Sequence, residues 1–205
     1  MTQPAQALLA DLDTTLPQAT ESWRGTVLRR IADLFLSSAG RYSQDQVALF
    51  DAVMCRLVNK NIDRALLTDL SNRLAPVADA PRGFLGGLAR HIDPAISGPV
   101  LAQSTALTDH DIIKVADQDR IDPSLLTKIA ARPQLSAAVT DVVLKRGNAA
   151  IYRMIIDNPN ARISEAGFAR VIMNLNADKE LASAISARTD VPDELRVWLA
   201  ATLNG

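Results

Sequence analysis

The sequence predicts an all-α protein, and three observations carry that prediction. Of 205 residues, 32 are Ala and 26 are Leu, both strong helix formers. Aromatic residues make up only 4%, whereas strands draw on aromatic and β-branched side chains. Where a long patterned segment occurs, its apolar residues recur at helical spacing. A hydrophobic fraction of 48% provides for a sizeable core and argues against disorder.

The first strong helix is expected after Thr20, with Trp23, Val27, Leu28, Ile31, Leu34 and Phe35 on one face. Gly40 suits the left-handed residue that closes such a helix. Ser43-Gln44-Asp45-Gln46 reads as a capping box, opening a helix with Val47, Phe50, Val53, Met54, Leu57 and Val58 on one side. A third helix carries Leu66, Leu67, Leu70 and Leu74 and stops near Pro76. Each stripe must be buried against a neighbour, and short connections favour antiparallel packing. Residues 18–75 thus read as an antiparallel cluster, within a first domain of residues 1–76.

Beyond Pro76 the helices shorten and their punctuation becomes denser. Asp79, Asp93 and Asp122 stand just before or near Pro81, Pro94 and Pro123, a helix-start signal. Thr108, Ser136 and Ser164 are further N-cap candidates. Gly147-Asn148 reads as a helix stop followed by the next cap. Residues 77–205 form the expected second domain, packed on the first as one continuous unit.

The strongest signal is an internal repeat. Leu107-Thr108, Leu135-Ser136, Ile163-Ser164 and Val191-Pro192 are each 28 residues apart. Eight positions after the apolar member stand Val115, Val143, Val171 and Leu199; nine positions after it stand Ala116, Leu144, Ile172 and Ala200. Each unit reads as helix, tight turn, N-cap and second helix. The turn at Asn158-Pro159-Asn160-Ala161-Arg162-Ile163-Ser164 is two residues longer than its counterparts, such as Arg132-Pro133-Gln134-Leu135-Ser136, and a shorter preceding junction compensates. One pair of short helices cannot hide its apolar face, whereas stacked pairs share a continuous core. The expectation is a helical solenoid.

Several function classes are disfavoured. With 22 Lys+Arg against 23 Asp+Glu the net charge is −1, so bulk-charge nucleic-acid binding is not expected. Cys55 is the single cysteine, which excludes an internal disulfide and a Cys-rich zinc site. Met1-Thr2-Gln3-Pro4 has no basic region, and Ala7-Leu8-Leu9-Ala10 is too short for a signal core. No apolar run is long enough to span a membrane. A cytoplasmic location without a membrane partner is expected.

Few residues invite chemistry. His110-Asp111, with His91 as an upstream ligand and Asp141 as a downstream one, resembles the ligand pattern of all-α metal-dependent phosphohydrolases. Against that reading, Asp109 and Asp111 suit the positive end of a helix after Thr108. Cys55, following Met54 in a helix, reads as a buried small hydrophobe rather than a nucleophile. Gly83 and Gly86-Gly87 lack the Lys-Ser/Thr end of a phosphate loop and suit close helix packing or a bend. Arg132 and Arg188 occupy equivalent positions at the ends of helices, and Arg162 lies in the enlarged turn between them. They either favour helix C-terminal carbonyls or form a ridge that contacts a partner.

The segments Ser97-Gly98-Pro99-Val100-Leu101, Leu107-Thr108-Asp109, Ile129-Ala130-Ala131-Arg132-Pro133, Leu135-Ser136 and Ile163-Ser164-Glu165-Ala166-Gly167-Phe168-Ala169 carry a family resemblance. Over roughly residues 45–200 the chain resembles DUF2336, a family of uncharacterised proteobacterial proteins. The resemblance implies HEAT-like helical repeats and a bacterial cytoplasmic setting, and it supplies no catalytic residues. Its members run longer, which would leave the apolar end Trp198, Leu199 and Leu203 without its natural cover. The expected fold is therefore an N-terminal helical cluster followed by a short HEAT-like, right-handed helical-repeat solenoid. The expected function is a non-catalytic protein-interaction scaffold or regulatory module, with no cofactor. Its partner would be another protein or a second copy in a homodimer, with Arg132, Arg162 and Arg188 as contacts. The phosphohydrolase is the alternative.

Overall fold

Helix is the only extended regular structure among the described residues, which contain no strand beyond one isolated bridge. The computed structural model describes the backbone at residues 3–59, 61–175 and 178–204, and side chains at 6–7, 9–59, 61–175 and 178–200. The expectations placed on Met1, Thr2, Leu8 and Leu203 lie outside the described residues. Two compact units divide the chain, residues 1–108 and 109–205.

The first unit contains α1 (Gln3–Thr15), a 3-10 turn (Leu16–Gln18), α2 (Glu21–Ser37), α3 (Gln44–Leu57), α4 (Arg64–Leu74), α5 (Arg82–Ala89) and α6 (Pro94–Gln103). Most of these starts follow from local caps. Thr20 Oγ1 accepts from Trp23 N at 3.2 Å. Ser43 and Gln46 complete a reciprocal capping box. The carboxylates of Asp63 and Asp93 accept from Leu66 N and Ala95 N. Gly40 has φ of +80°, in the left-handed region just beyond α2. Packing skips one helix at a time: α1 lies on α3 and α3 on α5, while α2 lies on α4 and α4 on α6. The pairs α2–α3, α4–α5 and α5–α6 join the two rows. Residue 76 is inside this unit, because α4 before it packs on α5 and α6 after it.

The core takes Leu28, Ala32 and Phe35 from α2, Val53, Met54 and Leu57 from α3, and Leu66, Leu67, Leu70 and Leu74 from α4. Truncating a fully buried Leu among these to Ala would cost about 2–5 kcal/mol. The stripe expected on α2 is narrower than its apolar pattern. Trp23 is 44% and Leu34 58% exposed, and Ala32 fills the inward position between Leu28 and Phe35. At the α2–α3 turn the rings of Phe35, Tyr42 and Phe50 cluster with centroids 4.9–5.7 Å apart, Tyr42 stacked on Phe35 and Phe50 edge-on to Phe35. α1 and the 3-10 turn after it have a signal of their own, since Leu9, Leu12 and Leu16 follow helical spacing, and Leu9 and Leu16 are buried.

Two expectations are corrected here. Asp79 does not start a helix: α5 begins at Arg82, its N-cap position is Pro81, and no side chain of its own segment caps it. Cys55 is exposed rather than buried, and its thiol donates to Asp51 at 3.7 Å.

The second unit contains α7 (Asp109–Ala116), α8 (Pro123–Ala130), α9 (Ala137–Arg146), α10 (Ala149–Ile156), α11 (Glu165–Met173), α12 (Lys179–Ala187) and α13 (Asp193–Asn204). α7, α9, α11 and α13 begin directly after Thr108, Ser136, Ser164 and Pro192. The caps of α8, α10 and α12 are Asp122, Asn148 and Asp178, spaced 26 and then 30 residues (122 to 148, 148 to 178). Packing again skips one helix: α7 on α9, α9 on α11 and α11 on α13, with α8 on α10 and α10 on α12. Val115, Val143, Val171 and Leu199, one from each 28-residue unit, are all buried. Gly147 is not left-handed; its φ is −77°. It is required for space, since a Cβ there would lie 2.9 Å from Val143 O and 2.8 Å from Ile151 Cγ2.

Candidate functional site: the turn edge of the second unit

The three arginines expected to meet a partner fall on the turns that join the two helices of a repeat. Helix ends leave backbone carbonyls without intrahelical partners. In this unit, side chains from the following turn bind one such carbonyl, that of Ile156, and several carbonyls of the turn residues beyond the helix ends. Asn158 Nδ2 donates to Arg132 O at 2.9 Å. Arg188 Nη1 donates to Ile156 O at 3.0 Å and Asn158 O at 2.9 Å, and its Nη2 donates to Ala161 O at 2.8 Å. Residues 132, 158 and 188 occupy the same place relative to the caps of α8, α10 and α12. Each side chain at 158 and 188 thus reaches the carbonyl of its counterpart one pair earlier.

Arg188 is committed to this role. Its side chain is 10% exposed, pairs with Asp190 at 2.8 Å and lies over the Phe168 ring at 5.9 Å. The guanidinium hydrogen bonds in turn hold the Asp190 carboxyl below its ordinary value. Its contacts are with Asp190 and with carbonyls of the turn one pair earlier, of which only Ile156 O ends a helix. Arg132 is partly buried, and burial pulls its guanidinium below the ordinary arginine value. Arg162 is exposed, on the enlarged turn. Its backbone N–H donates to Leu135 O at 2.9 Å, part of a parallel bridge between Leu135 and Ala161 that ties two successive turns.

A second device anchors helix starts. Asp141 of α9 accepts from the hydroxyl of Ser164 at 2.6 Å, and Ser164 Oγ accepts from Gly167 N at 2.9 Å at the start of α11. A Cβ at Gly167 would sit 2.9 Å from Asp141 Oδ1. The first unit has a counterpart. Asp51 of α3 accepts from Gly83 N at 3.1 Å and Phe84 N at 2.7 Å, capping α5 from another helix. A Cβ at Gly83 would lie 2.6 Å from Asp51 Oδ2. Close packing is therefore the reason for Gly83.

Residues 96–205 match a bacterial family described as uncharacterised protein conserved in bacteria, DUF2336. The chain belongs to that family. The DUF2336 match begins within α6 and takes in the whole second unit. It includes the arginine and asparagine side chains of the turn edge. No curated protein and no solved structure matches the chain.

The remaining candidates do not converge. His91 Nδ1 accepts from Asp93 N at 3.0 Å, and Asp141 is engaged with Ser164. His110 and Asp111 lie in the first turn of α7, where the helix end favours the aspartate. Among the described residues, no group of three or more His, Cys, Asp or Glu is placed to hold a metal ion. Although Cys55 reaches the surface, the protein around its thiol partly desolvates it and, with the neighbouring Asp51 carboxylate, pushes it up to about 11, so it stays protonated at neutral pH and is a poor nucleophile. No described helix is long and apolar enough to cross a membrane.

Proposed function

We propose that this protein is a non-catalytic interaction module, built from HEAT-like helical repeats stacked as a short right-handed solenoid. The observation that carries the reading is the alternate-helix packing of the second unit, with its turns hydrogen-bonded to one another along one edge. Such stacking produces a long surface whose shape is fixed by neighbours, suited to extended segments or other domains. Arg162 is the contact residue of the three arginines, because its side chain is exposed on a turn that Arg188 and the Leu135 bridge hold in place. Arg188 supports that turn from behind. The partner is another bacterial protein met in the cytoplasm, or a second copy of this chain.

The test compares wild-type protein with Arg162→Glu in affinity capture from a bacterial lysate, with light scattering for self-association. A captured protein, or a dimer, that is lost in Arg162→Glu while helicity and melting stay unchanged supports the reading. A wild-type protein that captures nothing specific, stays monomeric and turns over a phosphoester with stoichiometric bound metal would overturn it.

A further inference from the structure

We infer that the turn edge of the second unit is a conformational coupling device, in which the seating of α13 controls the order of the turns before it. The chain of contacts is directional. Arg196 of α13 donates through Nη2 to Arg188 O at 2.9 Å and Thr189 O at 3.3 Å, and through Nε to Val191 O at 3.2 Å. The last helix thereby grips the turn that carries Arg188. Arg188 then grips the next turn back, at the carbonyls of Ile156, Asn158 and Ala161. From that turn Asn158 reaches Arg132 O, and Arg162 N reaches Leu135 O. Three successive turns are joined, by the Asn158 and Arg188 side chains and by the Arg162 backbone N–H, each bonded to the backbone of the turn before.

The physical basis is the cost of leaving these carbonyls unmet. Arg188 is nearly buried, so its guanidinium cannot swing into solvent without stripping hydrogen bonds from three carbonyls at once. Its position depends on the backbone of residues 188–191, which Arg196 holds. Releasing Arg196 therefore loosens a turn that Arg196 never touches. Local opening in proteins proceeds in such cooperative pieces, and here the piece is defined by a polar chain rather than by the apolar seam. The coupling stands whether or not Arg162 meets a partner.

Amide hydrogen exchange on the full chain tests this. Arg196→Ala should speed exchange about tenfold at residues 188–191 and about threefold at 156–162. A control, Arg153→Ala, breaks the ion pair of α10 with Glu180 and should leave 188–191 unchanged. Faster exchange at 188–191 with unchanged protection at 156–162 would overturn the inference, as would unchanged protection at both. Arg188→Lys provides a second route that keeps the charge but loses the fork. It should speed exchange at 156–162, and no change there would contradict the coupling equally.

Discussion

The two units obey one packing rule and finish it with different chemistry. In each, helices lie on the helix two places earlier, in two rows. The first unit adds a cluster of rings, Phe35, Tyr42 and Phe50, at its α2–α3 turn. The second unit secures its turns with guanidinium and amide groups aimed at backbone carbonyls. Aromatic rings bury large apolar areas and gain further from ring–ring contact. The turns of the second unit instead present backbone carbonyls that neighbouring side chains meet. The difference teaches that successive turns can be tied by meeting backbone carbonyls as well as by burying rings.

The two tryptophans make the comparison measurable, since Trp23 lies in α2 and Trp198 in α13. The largest expected effect is from Phe35→Ala, where a fully buried ring and its two ring partners are lost. It should cost about 3–5 kcal/mol in urea denaturation followed at Trp23. Arg188→Ala should cost about 2–4 kcal/mol at Trp198, because several carbonyls lose a charged donor together. Arg188→Lys should recover only part of it. A negligible effect of Arg188→Ala would erase the contrast between the units.

A smaller effect is expected with pH. Arg188 holds the Asp190 carboxyl low in the folded chain. A carboxyl lowered by folding contributes stability that is complete above its unfolded pKa, about 3.9, and is lost as pH falls through the lowered folded value. Wild type should therefore exceed Asp190→Asn in stability near neutral pH and lose that advantage at acid pH, in denaturant titrations at a series of pH values. The smallest effect has the opposite sign. Thr140 of α9 is fully buried, and its hydroxyl has no hydrogen-bond partner. Thr140→Val should stabilise the protein by about 1 kcal/mol in thermal melts.

What the sequence made legible was local. Thr20, Ser43, Asp93, Asp122, Ser136, Asn148 and Ser164 all cap where they were expected, because a cap needs only an oxygen and an N–H two or three residues on. The 28-residue spacing places four helix starts for the same reason. Distant partners were not legible. The cap of α5 comes from Asp51, on a different helix, so the Asp79 signal misled. Arg132 and Arg188 were recognisable as equivalent, but which carbonyls Arg188 meets depends on how helix pairs stack. The outward turn of Leu34 was hidden because the periodicity of α2 contains more apolar residues than its neighbours cover.

Both units also anchor a helix start to a carboxylate on an earlier helix, with a glycine giving it room. The first unit offers the cleanest test, since the three nearest atoms to a Cβ at Gly83 all belong to Asp51. The decisive measurement is the stability change of Gly83→Ala in the wild type and in Asp51→Ala, by urea denaturation. In the wild type the added methyl displaces the carboxylate and should destabilise by about 1–2 kcal/mol. With Asp51 already truncated, the same substitution should become neutral or stabilising, as alanine favours helix over glycine by about 1 kcal/mol. An equal effect of Gly83→Ala in both backgrounds would contradict the anchoring of one helix by the helix two places before it.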